Sequence, residues 1–110
     1  MRLSKQQAMQ AVQKLKERIT GHLGYSVKMV LFGSVARGDF GPESDIDVLI
    51  LINGPLNRKL EEDLMRLAFD IELEDDVVFG LLIESNDDWQ TPLWSAMPIH
   101  RVIDEEGVVV

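Results

Sequence analysis

Cysteine is absent from this chain of 110 residues, and basic residues are scarce relative to acidic ones. Without cysteine there is no disulfide framework and no thiolate metal site. Eleven basic against nineteen acidic residues give a formal net charge of −8, which argues against a protein that binds long nucleic acid by neutralising its phosphates. We therefore expect no polynucleotide partner and no metal site built on sulfur.

Long apolar runs are also missing. None approaches the roughly 20 residues that a helix needs to span a bilayer, and the first twenty residues are polar and periodic, without the apolar centre of a signal peptide. We therefore expect a soluble cytoplasmic protein without a membrane partner. The hydrophobic content of 45% is enough for one compact core, and residues 1–110 are predicted to form a single domain.

An amphipathic helix is predicted near the start of the chain. Ser4 followed by Gln7 is typical of a capping box that opens a helix, and apolar residues then recur every three or four positions. Gly21 and Gly24 are expected to end the helix. The apolar stripe consists of Ala8, Val12, Leu15, Ile19 and Leu23.

Two strands and a second helix follow. Residues 25–32 are rich in β-branched and aromatic side chains and predict a strand, and the apolar run 46–52 predicts a buried one. An apolar stripe at helical spacing then predicts a helix, with Pro55 in its first turn. That stripe consists of Leu60, Leu64, Leu67, Ala68 and Ile71.

The remainder of the chain carries a third strand and little chemistry. We predict a strand over 77–83 and, after it, irregular structure or one short helix packed by the tryptophans Trp89 and Trp94. A turn is expected at 104–107. The final valines, 108–110, would form an edge strand or pair with another chain.

The loop between the first two strands has the residues that favour phosphate binding. Gly33 and Ser34 follow the first strand directly. A glycine there lets backbone N–H groups approach a phosphate closely, and a serine adds a hydroxyl donor. Val35, Ala36 and Arg37 could start a short helix, whose N-terminus would favour an anion.

Two aspartates enter the second strand from the other end of this loop. Alternation along a strand places Asp45 and Asp47 on one face and Ile46 on the other. Two neighbouring carboxylates repel each other unless a cation lies between them. Oxygen ligands of this kind suit Mg²⁺, which binds one or two protein carboxylates together with water and substrate phosphates.

These residues together resemble the signature of a known family. Gly33-Ser34-x-Ala36-Arg37-Gly38 followed by Ser44-Asp45-x-Asp47 is similar to the signature of the DNA polymerase beta superfamily of nucleotidyltransferases, and in particular to the minimal nucleotidyltransferases of bacteria and archaea. The resemblance implies an α/β (α+β) nucleotidyltransferase fold, a small mixed β-sheet flanked by helices. It also implies a nucleotide substrate, which we expect to be ATP.

The same resemblance implies roles for individual residues. Asp45 and Asp47 would be catalytic and would hold two Mg²⁺ ions with the bound nucleotide. The residues expected to bind the nucleotide are Gly33, Ser34, Arg37 and Ser44.

A third carboxylate is implied on a later strand, near Val78, where this sequence is apolar. Asp76 could substitute as a third metal ligand if the strand begins late or its register shifts by two residues. The other available carboxylates are Glu72, Glu74 and Asp75. For all four we favour a simpler interpretation, a solvated connection between helix and strand.

The family resemblance and the candidate residues leave three possible functions. The first is a metal-dependent transferase that moves an NMP from an NTP to a hydroxyl, which we expect on a partner protein. The resemblance implies a helical HEPN-type partner in a toxin–antitoxin module. Because a small domain without a lid or acceptor domain must obtain its second substrate surface elsewhere, we expect such a partner or a homo-oligomer. The second is a catalytically impaired module that binds nucleotide or partner and neutralises a HEPN-type protein by complex formation. The third, a small-molecule nucleotidyltransferase, would need additional substrate-binding structure.

Overall fold

A computed structural model describes residues 3–110 of the chain. No helix in that range is both long enough and apolar enough to cross a membrane. In chain order the elements are α1 (Lys5–Leu23), β1 (Lys28–Phe32), α2 (Gly33–Arg37), β2 (Ile46–Ile52), α3 (Arg58–Asp75), β3 (Phe79–Ser85), α4 (Asn86–Trp89), α5 (Pro92–Ser95), α6 (Pro98–Glu106) and β4 (Val108–Val109).

The strands form one mixed sheet in the order β3-β2-β1-β4. β1 pairs antiparallel with both β2 and β4, whereas β2 pairs in parallel with β3. The parallel pair needs a crossover connection, and α3 provides it. The predicted α/β architecture, a small mixed sheet flanked by helices, is confirmed.

The two faces of the sheet are covered differently. One face packs against α1 and α3 and holds the larger core, which includes Leu15, Ile50 and Leu64. The other face packs against the short helices that follow β3, through a smaller cluster of Val30, Leu49, Leu51, Trp89 and Ile103. Side chains alternate along β2, so Asp47 shares the second face with Leu49 and Leu51.

α1 begins as predicted and ends later than Gly21. The Ser4 side chain accepts a hydrogen bond from the Gln7 backbone, and the Gln7 side chain accepts one from the Ser4 backbone. Gly24 is the C-cap, with a left-handed φ of 80°. Gly21 lies inside the helix, and the prediction that it ends α1 is wrong, because a glycine within a helix costs only about 1 kcal/mol relative to alanine.

Three other predicted boundaries also differ. β3 covers Phe79–Ser85, two residues later than the predicted 77–83. β1 starts at Lys28 rather than at residue 25. α3 starts at Arg58, beyond Pro55, because the Asn57 side chain caps it by accepting a hydrogen bond from Leu60 N at 2.8 Å. An N-cap hydrogen bond of this kind typically contributes about 1 kcal/mol, so Asn57 and not Pro55 sets the start of α3.

The last quarter of the chain is more regular than the sequence predicted. Three short helices replace the irregular segment, and α6 continues through Glu106, where a turn was expected. The Trp89 ring stacks on His100 at a centroid distance of 4.4 Å, so this buried tryptophan packs the fold. The predicted edge strand is confirmed, since Val109 pairs with Val30.

Candidate active site

Gly33 turns the chain from β1 into α2. Its φ is +74°, a left-handed conformation that glycine adopts without steric cost. The turn places Ser34, which is half-buried, in the first turn of α2. The N–H groups in the first turn of a helix have no partner within the helix, so the start of α2 presents backbone donors beside the end of β1.

Asp47 lies between two strands and faces a glycine on each side. It pairs with Phe32 of β1, the residue before Gly33, and with Gly80 of β3. A Cβ atom on Gly33 would lie less than 3.0 Å from Asp47 Oδ2, and one on Gly80 less than 3.0 Å from Asp47 Oδ1. The two glycines therefore leave the space that the Asp47 carboxylate occupies, and we call Gly33 and Gly80 the glycine pair.

Burial raises the pKa of the half-buried Asp47 carboxyl, and the nearby negative charge of Asp45 raises it further. The Arg37 guanidinium opposes both effects and lowers this pKa. Asp45 itself is exposed at the mouth of the strand. Two carboxylates that repel each other where water is partly excluded favour the binding of a cation between them.

The donor set fits a divalent cation of the magnesium type. Asp45, the residue before β2, and Asp47, within β2, bring two carboxylates near each other, and Mg²⁺ commonly takes one or two protein carboxylates and completes its shell with water and phosphate oxygens. Within residues 3–110, no group of three or more histidine or acidic side chains is arranged to hold a metal ion. Asp45 and Asp47 are thus a pair of carboxylates and not part of a larger cluster among the described residues.

Arg37 and Ser44 border the two aspartates, and both already have partners. Arg37 Nε donates to Asp39 Oδ2 at 3.1 Å, and its Nη1 donates to Glu106 Oε2 at 3.3 Å. The Ser44 hydroxyl accepts a hydrogen bond from Gly41 N at 2.8 Å, which closes the turn before Asp45. These bonds use two of the five guanidinium N–H donors and only an acceptor position of the hydroxyl, so they are compatible with the predicted contacts with nucleotide.

Comparison with known proteins identifies the family. The sequence profile described as "Nucleotidyltransferase domain" matches residues 9–102. This chain is a member of the nucleotidyltransferase domain family. The family assignment confirms the resemblance read from the signature and supports a transferase of nucleoside monophosphates, a class that generally uses divalent metal.

Two proteins of Methanocaldococcus jannaschii, each named as an inferred protein adenylyltransferase, are similar in sequence. MJ0604 is 34% identical over 100 residues, which cover 90% of this chain and 89% of that protein. MJ0141 is 38% identical over 56 residues, 51% of this chain. The latter alignment spans 57% of the relative's own length, so its likeness concerns only part of that protein.

The acidic residues before β3 lie on the side of the sheet away from Asp47, next to α1. Glu74 forms ion pairs with Lys14 and Arg18, which lower its pKa to about 2, and Asp75 pairs with Lys14 at 2.8 Å. Glu72 Oε2 accepts a hydrogen bond from Phe79 N at 2.7 Å. In this nucleotidyltransferase domain, Glu74 and Asp75 therefore link α3 to α1, and Glu72 links α3 to β3.

Asp76 is the C-cap of α3, with a left-handed φ of 54°. It lines a groove of about 590 Å³ together with side chains of α1, among them Gln10 and Lys14. Its role as a third metal ligand stays a prediction. Val78, where the family resemblance implies a carboxylate, accepts a hydrogen bond from Ile46 N at 2.8 Å and is 54% exposed.

Glu84 shares the second face of the sheet but lies far along it. It pairs in register with Leu51, whereas Gly80 pairs with Asp47, so four residues of strand separate it from the aspartates, about 13 Å at 3.3 Å per residue. Burial raises the pKa of Glu84, and the charges of Asp88 and Glu61 add to this. Glu84 is therefore remote from Asp45 and Asp47.

Gly80 is the site residue that the sequence did not reveal. Its importance depends on the register between β2 and β3, two strands that are separated by a whole helix in the sequence. A glycine inside a predicted strand is the available signal, because it often marks a place where another group approaches the backbone closely. Here the group is the Asp47 carboxylate.

Proposed function

We propose that this chain transfers a nucleoside monophosphate, most simply AMP from ATP, to a hydroxyl group on a partner protein. The observation that carries the proposal is the geometry around Asp47, whose carboxylate lies between β3 and the proposed phosphate-binding turn at Gly33 and Ser34, near enough to Asp45 for that charge to raise its pKa. Family membership supports nucleotide transfer, and the name of the relative MJ0604 supports a protein as acceptor.

The reaction forms a bond between the acceptor oxygen and the α-phosphorus and breaks the bond from that phosphorus to pyrophosphate. The acceptor loses its hydroxyl proton to water, and pyrophosphate leaves. Gly33 and Ser34 are proposed to hold the β- and γ-phosphates through backbone N–H groups and the serine hydroxyl. Arg37 is proposed to balance their charge, and Ser44 to fix the turn that presents Asp45.

Asp45 and Asp47 are proposed to hold Mg²⁺ in the complex with nucleotide. A bound divalent ion of this kind neutralises developing phosphate charge and orients the attacking and leaving oxygens. The protein's own contribution is then mainly positioning, which can account for a large part of the rate enhancement in phosphoryl transfer. The position of the Asp47 carboxylate between the glycine pair is proposed to contribute to this positioning.

The test uses ATP labelled in the α-phosphate, with Mg²⁺ and the protein encoded beside this chain as acceptor. We expect label on the acceptor with wild type and none with the double variant Asp45→Asn/Asp47→Asn. A parallel reaction with γ-labelled ATP must leave the acceptor unlabelled, because that label departs with pyrophosphate. Label from the γ-phosphate would indicate a kinase, and no label from either would refute transfer to this acceptor.

A second candidate function is a nucleotide- or partner-binding module that neutralises a HEPN-type partner without chemistry. The specific observation in its favour is Val78, an apolar residue where the family resemblance implies a third carboxylate, together with the absence of a three-carboxylate group among the described residues. Tight partner binding without any label transfer by wild type would favour this candidate over the enzyme.

Val78→Asp tests whether the missing carboxylate limits the chemistry. Val78 is more than half exposed, so an aspartate there keeps access to water and should leave the fold intact. If metal binding is limited because only two carboxylates are present, the variant should bind Mn²⁺ about ten-fold more tightly. It should also transfer label faster. Val78→Asn, equal in shape but neutral, should show neither gain. Equal behaviour of the two variants would place the limitation elsewhere.

A further inference from the structure

The last helix, α6, forms an ion pair with α2, the short helix that begins at the proposed phosphate-binding turn. Glu106 is the final residue of α6, and its Oε2 accepts from Arg37 Nη1 at 3.3 Å. Arg37 is the final residue of α2 and also binds Asp39 through Nε at 3.1 Å. The guanidinium thus lies between two carboxylates, which raise its pKa.

Arg37 also acts electrostatically on the proposed metal-binding carboxylates. Its charge lowers the pKa of Asp47 against the larger effect of burial, so the guanidinium is near enough to this centre to influence the charge there. An incoming triphosphate would offer Arg37 several anionic oxygens. The two ion pairs use two of the five guanidinium N–H donors, so a phosphate would meet a cation whose charge Glu106 and Asp39 already partly neutralise.

We propose that Glu106 competes with nucleotide phosphate for Arg37, so that the C-terminal helix sets the affinity for nucleotide. The inference rests on the proposed function, since it assumes that Arg37 contacts phosphate. Glu106 is a positioning residue that acts through Arg37. Asp39 belongs to the same loop as Arg37, whereas Glu106 comes from the helix that also covers the second face through Ile103. A movement of α6 that separates Glu106 from Arg37 would therefore change how far the positive charge of Arg37 is neutralised before a ligand binds.

The size of the expected effect follows from the exposure of the pair. The side chains of Arg37 and Glu106 are 43% and 40% exposed, and ion pairs of this kind are weak in water and screened by salt. Releasing Arg37 from Glu106 should therefore tighten ATP binding by about two- to five-fold at low ionic strength. The gain should shrink toward one at about 0.5 M salt, where the screening length falls to a few ångströms.

Glu106→Gln tests the proposal, with Glu105→Gln as the matched control. Glu105 is the neighbouring residue on α6 and pairs with Arg101 at 3.1 Å, so its substitution removes the same charge from the same helix end without freeing Arg37. Calorimetric titration with ATP and Mg²⁺ should show tighter binding for Glu106→Gln and little change for Glu105→Gln. Equal shifts in both variants, or weaker binding by Glu106→Gln, would overturn the competition.

A cycle with Arg37→Ala shows whether the effect passes through Arg37. In the Arg37→Ala background, Glu106→Gln should no longer differ from Glu105→Gln; a persisting difference would overturn the proposal. The outcomes separate this inference from the proposed function. Wild type that binds ATP with no selective effect of Glu106→Gln refutes only the inference, whereas no ATP binding by any of the proteins refutes nucleotide binding and the competition with it.

Discussion

Asp47→Asn should abolish nucleotide transfer and at the same time stabilise the folded protein. If Asp47 holds the catalytic cation as proposed, the loss of its carboxylate should lower the rate on the order of a thousand-fold or more. The gain in stability has a different cause. Burial and the neighbouring charge of Asp45 raise the folded-state pKa of Asp47 above its ordinary 3.8, which means that the ionised carboxylate is disfavoured in the fold.

The sign of the pH dependence can be checked directly. A carboxyl whose pKa is raised by folding destabilises the fold above its folded-state pKa, and this penalty disappears as the pH falls below 3.8. Asn removes the penalty at every pH. The thermal midpoint of Asp47→Asn should therefore exceed that of wild type by about 2–5 °C at pH 7, and by less at pH 3.5.

Glu43→Gln is the control for this comparison. Glu43 is exposed and lies four residues before Asp47, so its substitution reduces the same net negative charge without touching the seat of the carboxylate. A midpoint shift in Glu43→Gln as large as that in Asp47→Asn would assign the stabilisation to overall charge. Transfer by Asp47→Asn at a rate close to wild type would remove Asp47 from the proposed site.

Gly80→Ala should impair transfer by about a hundred-fold while the protein still folds. The added methyl group would come within 3.0 Å of Asp47 Oδ1, so the carboxylate must move, and a displacement of about 1 Å can cost on the order of a hundred-fold in rate. Gly80 does not have a left-handed φ, unlike Gly33. Alanine is therefore compatible with its backbone, and the strain is confined to the site.

The control for Gly80→Ala is a glycine with free space around it. A Cβ on Gly21 would meet nothing within 4 Å, and alanine inside α1 should raise the free energy of unfolding by about 0.5–1 kcal/mol without affecting transfer. Combining Gly80→Ala with Asp47→Asn should add little to the effect of Asp47→Asn alone, since both act on one carboxylate. Full additivity of the two losses would contradict the steric explanation.

Local patterns in the sequence predicted the features whose partners are nearby. The capping box at Ser4 and the glycine turn at Gly33 each depend on residues within a few positions. The placement of Asp45 and Asp47 on one face stays a prediction, because β2 begins only at Ile46. Family resemblance added the expected fold. The predicted start of α3 was wrong because proline is also favourable in the first turn of a helix. The residue that caps α3 is Asn57, whose side chain makes the capping hydrogen bond.

Long-range contacts could not be predicted in the same way. Gly80 reaches Asp47 only through the pairing of β2 with β3, and Glu106 meets Arg37 across 69 positions of sequence. The charges 104–106 suggested a turn, yet α6 continues through them, because Ile103 is buried under the sheet and fixes the helix there. Burial against a distant strand leaves no short-range signature.

The larger hydrophobic core and the candidate site lie on opposite faces of the sheet, and this separation affects which substitutions the chain can accept during evolution. The larger core, with Leu15, Ile50 and Leu64, lies under α1 and α3, whereas Asp47 and Gly80 are on the opposite face. Substitutions at these two positions that remove the proposed transfer would leave that core intact, so a descendant without the activity would still fold. By the same separation, a carboxylate gained at position 78 would not first require a compensating change elsewhere in the core.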